Sequence, residues 1–294
     1  MKDKALYTKL SKYLICILRF VLIFGLCYVI LKPIIQYLLY ACMSQEDFRD
    51  YTVSVIPKNW STFYWKKAAE LLDLFGKTGL RSILFSVTIA IVQMMSSLVI
   101  GYGLARFKFR GKKFLNFMLF VVMLVPMTVL QLPQYFQFRF FGIGSLKINL
   151  INTLVPYYIL SFTGLGLKQA LYIFLMKSLF EQMPTDMENA AYIDGAGIFK
   201  TFGLVVVPNA KALMITVFLF AFCWTWTETS FATAFYPDLS LLSERLRKLD
   251  SLMGMSAGNV TYAGIIIIMI PMLILMVFCQ KHLVKSITLS GMAN

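Results

Sequence analysis

Histidine is nearly missing from this sequence: His282 is the single one in 294 residues. Without histidine clusters, and without paired carboxylates grouped as a pocket would need, a membrane enzyme is a poor reading. The five cysteines (Cys16, Cys27, Cys42, Cys223 and Cys279) show no C-x-x-C spacing, and most lie in apolar runs. There they act as small hydrophobes and suggest neither a disulfide framework nor a metal site. The phosphate-cradling pattern G-x-x-x-x-G-K-[ST] is absent, so this chain does not read as an ATPase of that class. No convincing internal repeat is present, and acids do not gather within the apolar stretches. Both observations weigh against an ion-coupled secondary transporter. The first apolar stretch is long and has no small-residue cleavage pattern, so it reads as a retained anchor rather than a cleaved signal.

What the sequence has in excess is apolar surface. Apolar residues make up 59% of it, above the roughly 45–50% of soluble domains, and its mean hydropathy is +0.73. A bilayer accommodates such side chains; a water-soluble core of this length does not. The net charge of +14 is concentrated at Lys2, Lys4, Lys9 and Lys12, and at Arg106, Lys108, Arg110, Lys112 and Lys113 between two apolar runs. Clusters so placed follow the positive-inside rule for cytoplasmic segments, and no soluble surface is left for nucleic acid.

A crossing helix needs roughly 20 apolar residues. Six segments meet or approach that length: Tyr13 to Tyr40, Ser82 to Leu104, Phe114 to Pro133, Asn152 to Phe174, Val207 to Phe235, and Tyr262 to Cys279. The predicted fold is all-α and polytopic, with a cytoplasmic N-terminus over residues 1–12, a transmembrane bundle over 13–281 and a cytoplasmic tail over 282–294. Pro33 is expected to kink the first span, and Lys32 beside it reads as snorkelling outward in preference to serving a pathway. Gly164, Gly166 and Lys168 interrupt the fourth span, where a kinked helix is preferred to two shorter pieces. An even number of spans puts both termini inside, with residues 42–79 and 237–261 outside.

The segment from Lys177 to Lys200 then falls inside although it holds more acid than base. Pro184, Thr185 and Asp186 suit a helix start. Helical spacing puts Met187, Ala190, Ala191 and Asp194 on one face. Gly195 permits a sharp turn, and a second short helix through Phe199 and Phe202 leads to Pro208 and back to the membrane. The product is a helical elbow over residues 181–206 with an apolar, small-residue face suited to a groove on a soluble partner. A helix lying on the membrane surface fits less well, since such helices are rich in Lys and Arg.

Glu188-Asn-Ala-Ala-Tyr-Ile-Asp-Gly-Ala196, followed by Pro208, resembles the E-A-A-x-x-D-G-A loop of ATP-binding-cassette importer permeases, with Asn189 in place of the first alanine. Gly101-Tyr-Gly-Leu-Ala-Arg-Phe107 with Arg110-Gly-Lys112, Phe174 to Phe180, Met183-Pro184, Pro126, Pro133-x-Tyr135, Ser54 to Lys58 and Gln280 to Gly291 are similar to segments of the maltose-type smaller permeases. The resemblance runs from about residue 50 to the end. It implies a subunit of a carbohydrate importer in a prokaryotic cell membrane. Implied partners are a second permease, a pair of ATPase subunits holding ATP and Mg, and an external solute-binding protein. Glu188 and Asp194 would make polar contacts in an ATPase cleft, and Ala190, Ala191 and Gly195 would allow close approach. Pro208 would fix the angle of return to the membrane, and the tail from His282 to Asn294 would be a second contact. The elbow also permits a permease for an amino acid or a phosphonate.

Tyr157, Tyr158, Phe162, Trp224, Trp226 and Glu228 have the chemistry to line a sugar pathway, aromatic faces with one acid among them. Packing or lipid contact is the competing role for the aromatics. A wet position at the outer end of its span is the competing role for Glu228.

Overall fold

In the computed structural model, residues 2–144, 146–236, 240–253 and 257–291 are described. From the N-terminus the helices are α1 (Lys2–Ala41), α2 (Gln45–Arg49), α3 (Phe63–Leu72), α4 (Lys77–Arg106), α5 (Lys112–Leu124) and α6 (Met127–Arg139). A two-stranded antiparallel hairpin follows, β1 (Phe141–Ile143) and β2 (Leu146–Ile148), with Gly142 opposite Lys147. Then come α7 (Val155–Thr163), α8 (Gln169–Gln182), α9 (Asp186–Ile193), α10 (Ile198–Thr201), a π-helical turn at Phe202–Val206, α11 (Val207–Thr227), α12 (Ser230–Phe235), α13 (Leu242–Met253) and α14 (Ala257–Gly291).

The chain forms two compact units, residues 1–71 with 248–268, and residues 72–247 with 269–294. In the first, α1 is a continuous helix that passes through Pro33. Every residue from Lys12 to Pro33 is exposed, as a lipid-facing or partner-facing helix would be. Tyr37 and Tyr40 pack on Tyr262 at centroid distances of 4.8 and 5.4 Å. Beyond α1, the buried Asp47 carboxylate accepts hydrogen bonds from the backbone and side-chain amides of Asn59 at 2.7 and 3.0 Å. These bonds, the Asn59 backbone first, hold its carboxyl below the usual range.

In the second unit α4 is the shaft. Phe85, Ile89, Gln93, Ser97, Gly101 and Leu104 recur at three- and four-residue spacing and make its buried face, against α7, α8 and α11. Gly101 lets α8 come close, since a Cβ there would lie 2.6 Å from Met176 Cβ and 2.9 Å from the Lys177 backbone nitrogen. Halfway along the shaft is a buried polar network. Gln169 donates to Ser96 Oγ (2.6 Å) and to the Ser161 carbonyl (2.7 Å), Gln93 donates to Ser161 Oγ (3.2 Å), and Ser96 donates to the Ser161 carbonyl (2.8 Å).

Several expected spans are reshaped. The apolar stretch from Phe114 to Pro133 is two helices, α5 and α6, meeting at 107°. Pro126 is the cause: it biases Val125 to extended backbone (φ −70°, ψ 122°) and brings no N–H to continue the ladder. The kinked helix preferred over Asn152 to Phe174 is instead broken. Gly164 ends α7 at φ +86°, Lys168 opens α8 at φ +56°, and the network around Gln169 satisfies the freed polar groups between them. The fifth stretch begins earlier than Val207 and stops at Thr227, with α12 a separate turn. α14 overruns Cys279 and continues to Gly291; Met292 to Asn294, the end of the proposed second contact, lie outside the described residues, as do 237–239 and 254–256 of the expected external segment. Among the described residues, four helices are long and apolar enough to cross a membrane, Lys12–Ala41, Lys77–Arg106, Ile198–Thr227 and Gly258–Lys281. The α5–α6 pair would make a fifth if it counts as one span.

Candidate functional site

The acidic segment folds into a helical elbow, α9 and α10 on either side of Gly195. Asp186 and Glu188 occupy the first turn of α9, where the helix dipole favours negative charge. Asp194 caps the other end. Gly195 then takes φ +81°, its N–H bonds the Tyr192 carbonyl (3.0 Å), and the Ala196 N–H bonds the Ala191 carbonyl (2.9 Å). This crossed pair is the Schellman arrangement, which needs a residue tolerant of left-handed backbone at that position. A Cβ on Gly195 would meet nothing within 4 Å. The demand for glycine inside this chain is therefore conformational, not steric.

One side of the elbow is bare. Met187, Ala190, Asp194, Gly195 and Ile198 are exposed, and Ile193 and Phe199 are 85% and 92% exposed. Exposure that high for two large apolar side chains on adjoining turns marks a surface made to be covered. Ala191 is half-buried.

The other side is fastened. Glu188 is buried, turned away from the Met187–Ala190–Asp194 face. Its carboxylate accepts a hydrogen bond from the Tyr102 hydroxyl (2.7 Å) and from Arg106 Nε (2.7 Å). Arg106 Nη2 donates to the Met183 carbonyl (2.8 Å), just ahead of α9. The Tyr102 ring packs on Phe180 of α8 (5.5 Å) and on Phe202 of the π turn (4.9 Å). The last residues of α4 thus hold the chain before, within and after the elbow. The Arg106–Glu188 pair is 13% and 7% exposed, buried enough that removing one partner would cost roughly 3–5 kcal/mol.

Sequence reasoning expected Glu188 to reach into a partner's cleft; in this structure its carboxylate is engaged within the chain. It gives Tyr102 and Arg106 no part in the elbow, reading Arg106 as a topology charge and both as members of a segment similar to the maltose-type permeases. The signal was available on the helical wheel: Glu188 lies about 100° from Met187, off the face that carries the alanines. The second arm also differs from expectation. No joint separates it from the spanning helix: α10, the π turn and α11 run on as one helix from Ile198 to Thr227. Pro208, expected to set an angle of return, is instead in the first turn of α11. The ladder loosens to five-residue bonding, Val207 N–H to the Phe202 carbonyl, immediately before this ring nitrogen with no hydrogen.

The residues proposed for a solute pathway separate into two groups. Tyr157 is 3% exposed in an aromatic cluster with Phe85 (5.0 Å), Phe231 (4.6 Å) and Tyr236 (5.8 Å). Trp226 is buried and stacks on Phe222 at 5.5 Å. In this structure both rings are committed to packing, leaving little face for a solute. Glu228 accepts from the Phe231 N–H (2.9 Å), so it fastens the start of α12. Tyr158 shares a 2.7 Å hydrogen bond with Thr88. Trp224 and Phe162 are exposed, with the Lys168 ammonium 5.2 Å from the Trp224 ring centre.

The elbow and its clamp fall within residues 97–289, which match the family of binding-protein-dependent transport system inner membrane components. The chain belongs to that family: it is a membrane permease component of a transport system. It is similar to the maltodextrin transport system permease protein of Streptococcus pneumoniae, 23% identical over 96% of this chain and 97% of that one. It is also similar to the diacetylchitobiose uptake system permease protein of Streptomyces coelicolor, 26% identical over 72% of this chain and 68% of the relative. Among solved structures its fold matches a bacterial ABC transporter involved in import of the acidic polysaccharide alginate. The TM-score is 0.70 at 20% identity, covering 92% of this chain and 97% of that one.

Proposed function

We propose that this chain is one of two permease halves of an ATP-driven carbohydrate importer, and that its elbow is the part gripped by the ATPases. The observation that carries the reading is the two-sided elbow. A bare apolar face, Met187, Ile193 and Phe199, stands on a base clamped to α4. A surface helix would turn its apolar face to the body of the protein; this one turns it outward.

In this reading α7 and α8 together make a broken crossing, α5 and α6 another, and the total is six, with both termini and the elbow in the cytoplasm. ATP and Mg are held by the partner ATPase subunits, and an external binding protein delivers the solute. The carbohydrate assignment is supported by the names of the relatives, which carry maltodextrin and diacetylchitobiose.

The test is uptake by vesicles holding the full complex purified through this chain. ATP-dependent accumulation of an oligosaccharide, with an ATPase copurifying, is the expected result. Accumulation without ATP would overturn the importer reading. ATP-dependent uptake of an amino acid but of no sugar would overturn the solute class alone.

A further inference from the structure

We infer that Tyr102, Arg106 and Glu188 form a force-transmitting clamp, in which Glu188 serves as an internal positioning residue. This inference rests on the reading of the elbow as the gripped part. For a stroke on an elbow to move a pore, the elbow must not swing freely on its loops. The loop before α9 is only Met183, Pro184 and Thr185, and its first carbonyl is bound by Arg106. α9 itself is bound through Glu188, and the chain after the elbow is packed on Tyr102 through Phe202. All three attachments converge on one turn at the end of α4.

α4 carries the load onward. From Arg106 to Gln93 is 13 residues, about 20 Å of helix. At that level Gln93 and Ser96 are bonded to Ser161 and Gln169, on either side of the break between α7 and α8. A rigid helix with one end clamped to the elbow and its middle bonded across a helix break converts rotation of the elbow into displacement at that break.

The test uses the complete reconstituted complex and reads solute transported per ATP hydrolysed. Glu188→Gln and Arg106→Gln are each expected to lower that ratio about tenfold, the equivalent of about 1.4 kcal/mol. The double variant should be no worse than either single one, because both remove the same link. Tyr102→Phe, which keeps the ring and loses the hydroxyl, should lower the ratio less. If Arg106→Gln does not assemble, Arg106→Lys replaces it, and partial recovery is expected because charge remains while the fork geometry is lost. A full ratio for the Arg106 variant beside a lost one for Glu188→Gln would overturn the clamp and return Glu188 to the partner. Hydrogen exchange over residues 186–194 reads the clamp even if the unaltered complex shows no ATP-dependent uptake, an outcome that would sink the importer reading only. Faster exchange in the Arg106 variant supports the clamp; unchanged exchange overturns it.

Discussion

Substituting Gly195 separates a backbone demand from a partner's demand, because the structure gives the two different sizes. At φ +81° any residue with a Cβ pays about 1–2 kcal/mol for left-handed backbone, and asparagine pays least. No atom of this chain lies within 4 Å of where that Cβ would be. Taken alone, then, the chain should tolerate alanine and tryptophan about equally, since neither meets an obstacle. A partner pressed against the elbow changes the comparison. Alanine would add one methyl group to the contact, whereas tryptophan would hold the two surfaces apart. The expected order of solute uptake in vesicles is Gly195→Asn near the unaltered protein, Gly195→Ala modestly reduced, and Gly195→Trp at least about tenfold below alanine, a gap of about 1.4 kcal/mol. Membrane insertion, measured by protease accessibility of the cytoplasmic segments, should be the same in all three. Tryptophan performing like asparagine would refute the reasoning, for it would mean that nothing docks at the turn.

Two further predictions concern stability. Gly101→Val places a branched side chain where even a Cβ would lie 2.6 Å from Met176, so α4 and α8 must separate. The expected cost is about 1–3 kcal/mol, read as a lowered melting temperature in detergent, and an unchanged value would refute the close approach. In the segment after α1, the Asp50 carboxylate is held down to about 2, first by the Thr52 hydroxyl and then by its backbone N–H, with Lys58 assisting. Its folded value lies below the ordinary 3.8. The stabilisation is therefore complete above about pH 4 and is lost as pH falls towards 2. Amide exchange at Thr52 and Val53 should show constant protection from pH 7 down to about 4, and protection that is lost as pH falls on towards 2.

The legible parts of this protein were those written in composition along the chain. α1, α4 and the apolar core of α14 follow from uninterrupted runs of large apolar residues, and the turn at Gly195 follows from Asp-Gly after a run at helical spacing. The breaks within the third and fourth apolar stretches escape a sequence reading for one reason: hydropathy counts apolar residues but says nothing of direction. Pro126 turns the chain through 107° without altering the count, and Gly164 and Lys168 break the helix in a stretch that remains apolar overall. The clamp was hidden for another reason. Arg106 and Glu188 are 82 residues apart, and only packing of α8 along α4 brings them together. Tyr157 and Trp226 have the chemistry to touch a sugar, yet burial decides what an aromatic ring can touch.

The unbroken column from Ile198 to Thr227 holds 30 residues. At 1.5 Å each it is about 45 Å long, against an oily layer of about 30 Å. Upright, it has some ten residues too many, and the proposed orientation, with the elbow in the cytoplasm, leaves them at the end that begins beside Phe199. In that orientation the overhang is already solid before any neighbour touches it, and a push sideways on its tip would be felt inside the bilayer as the tilt of a rod pivoting at the waterline.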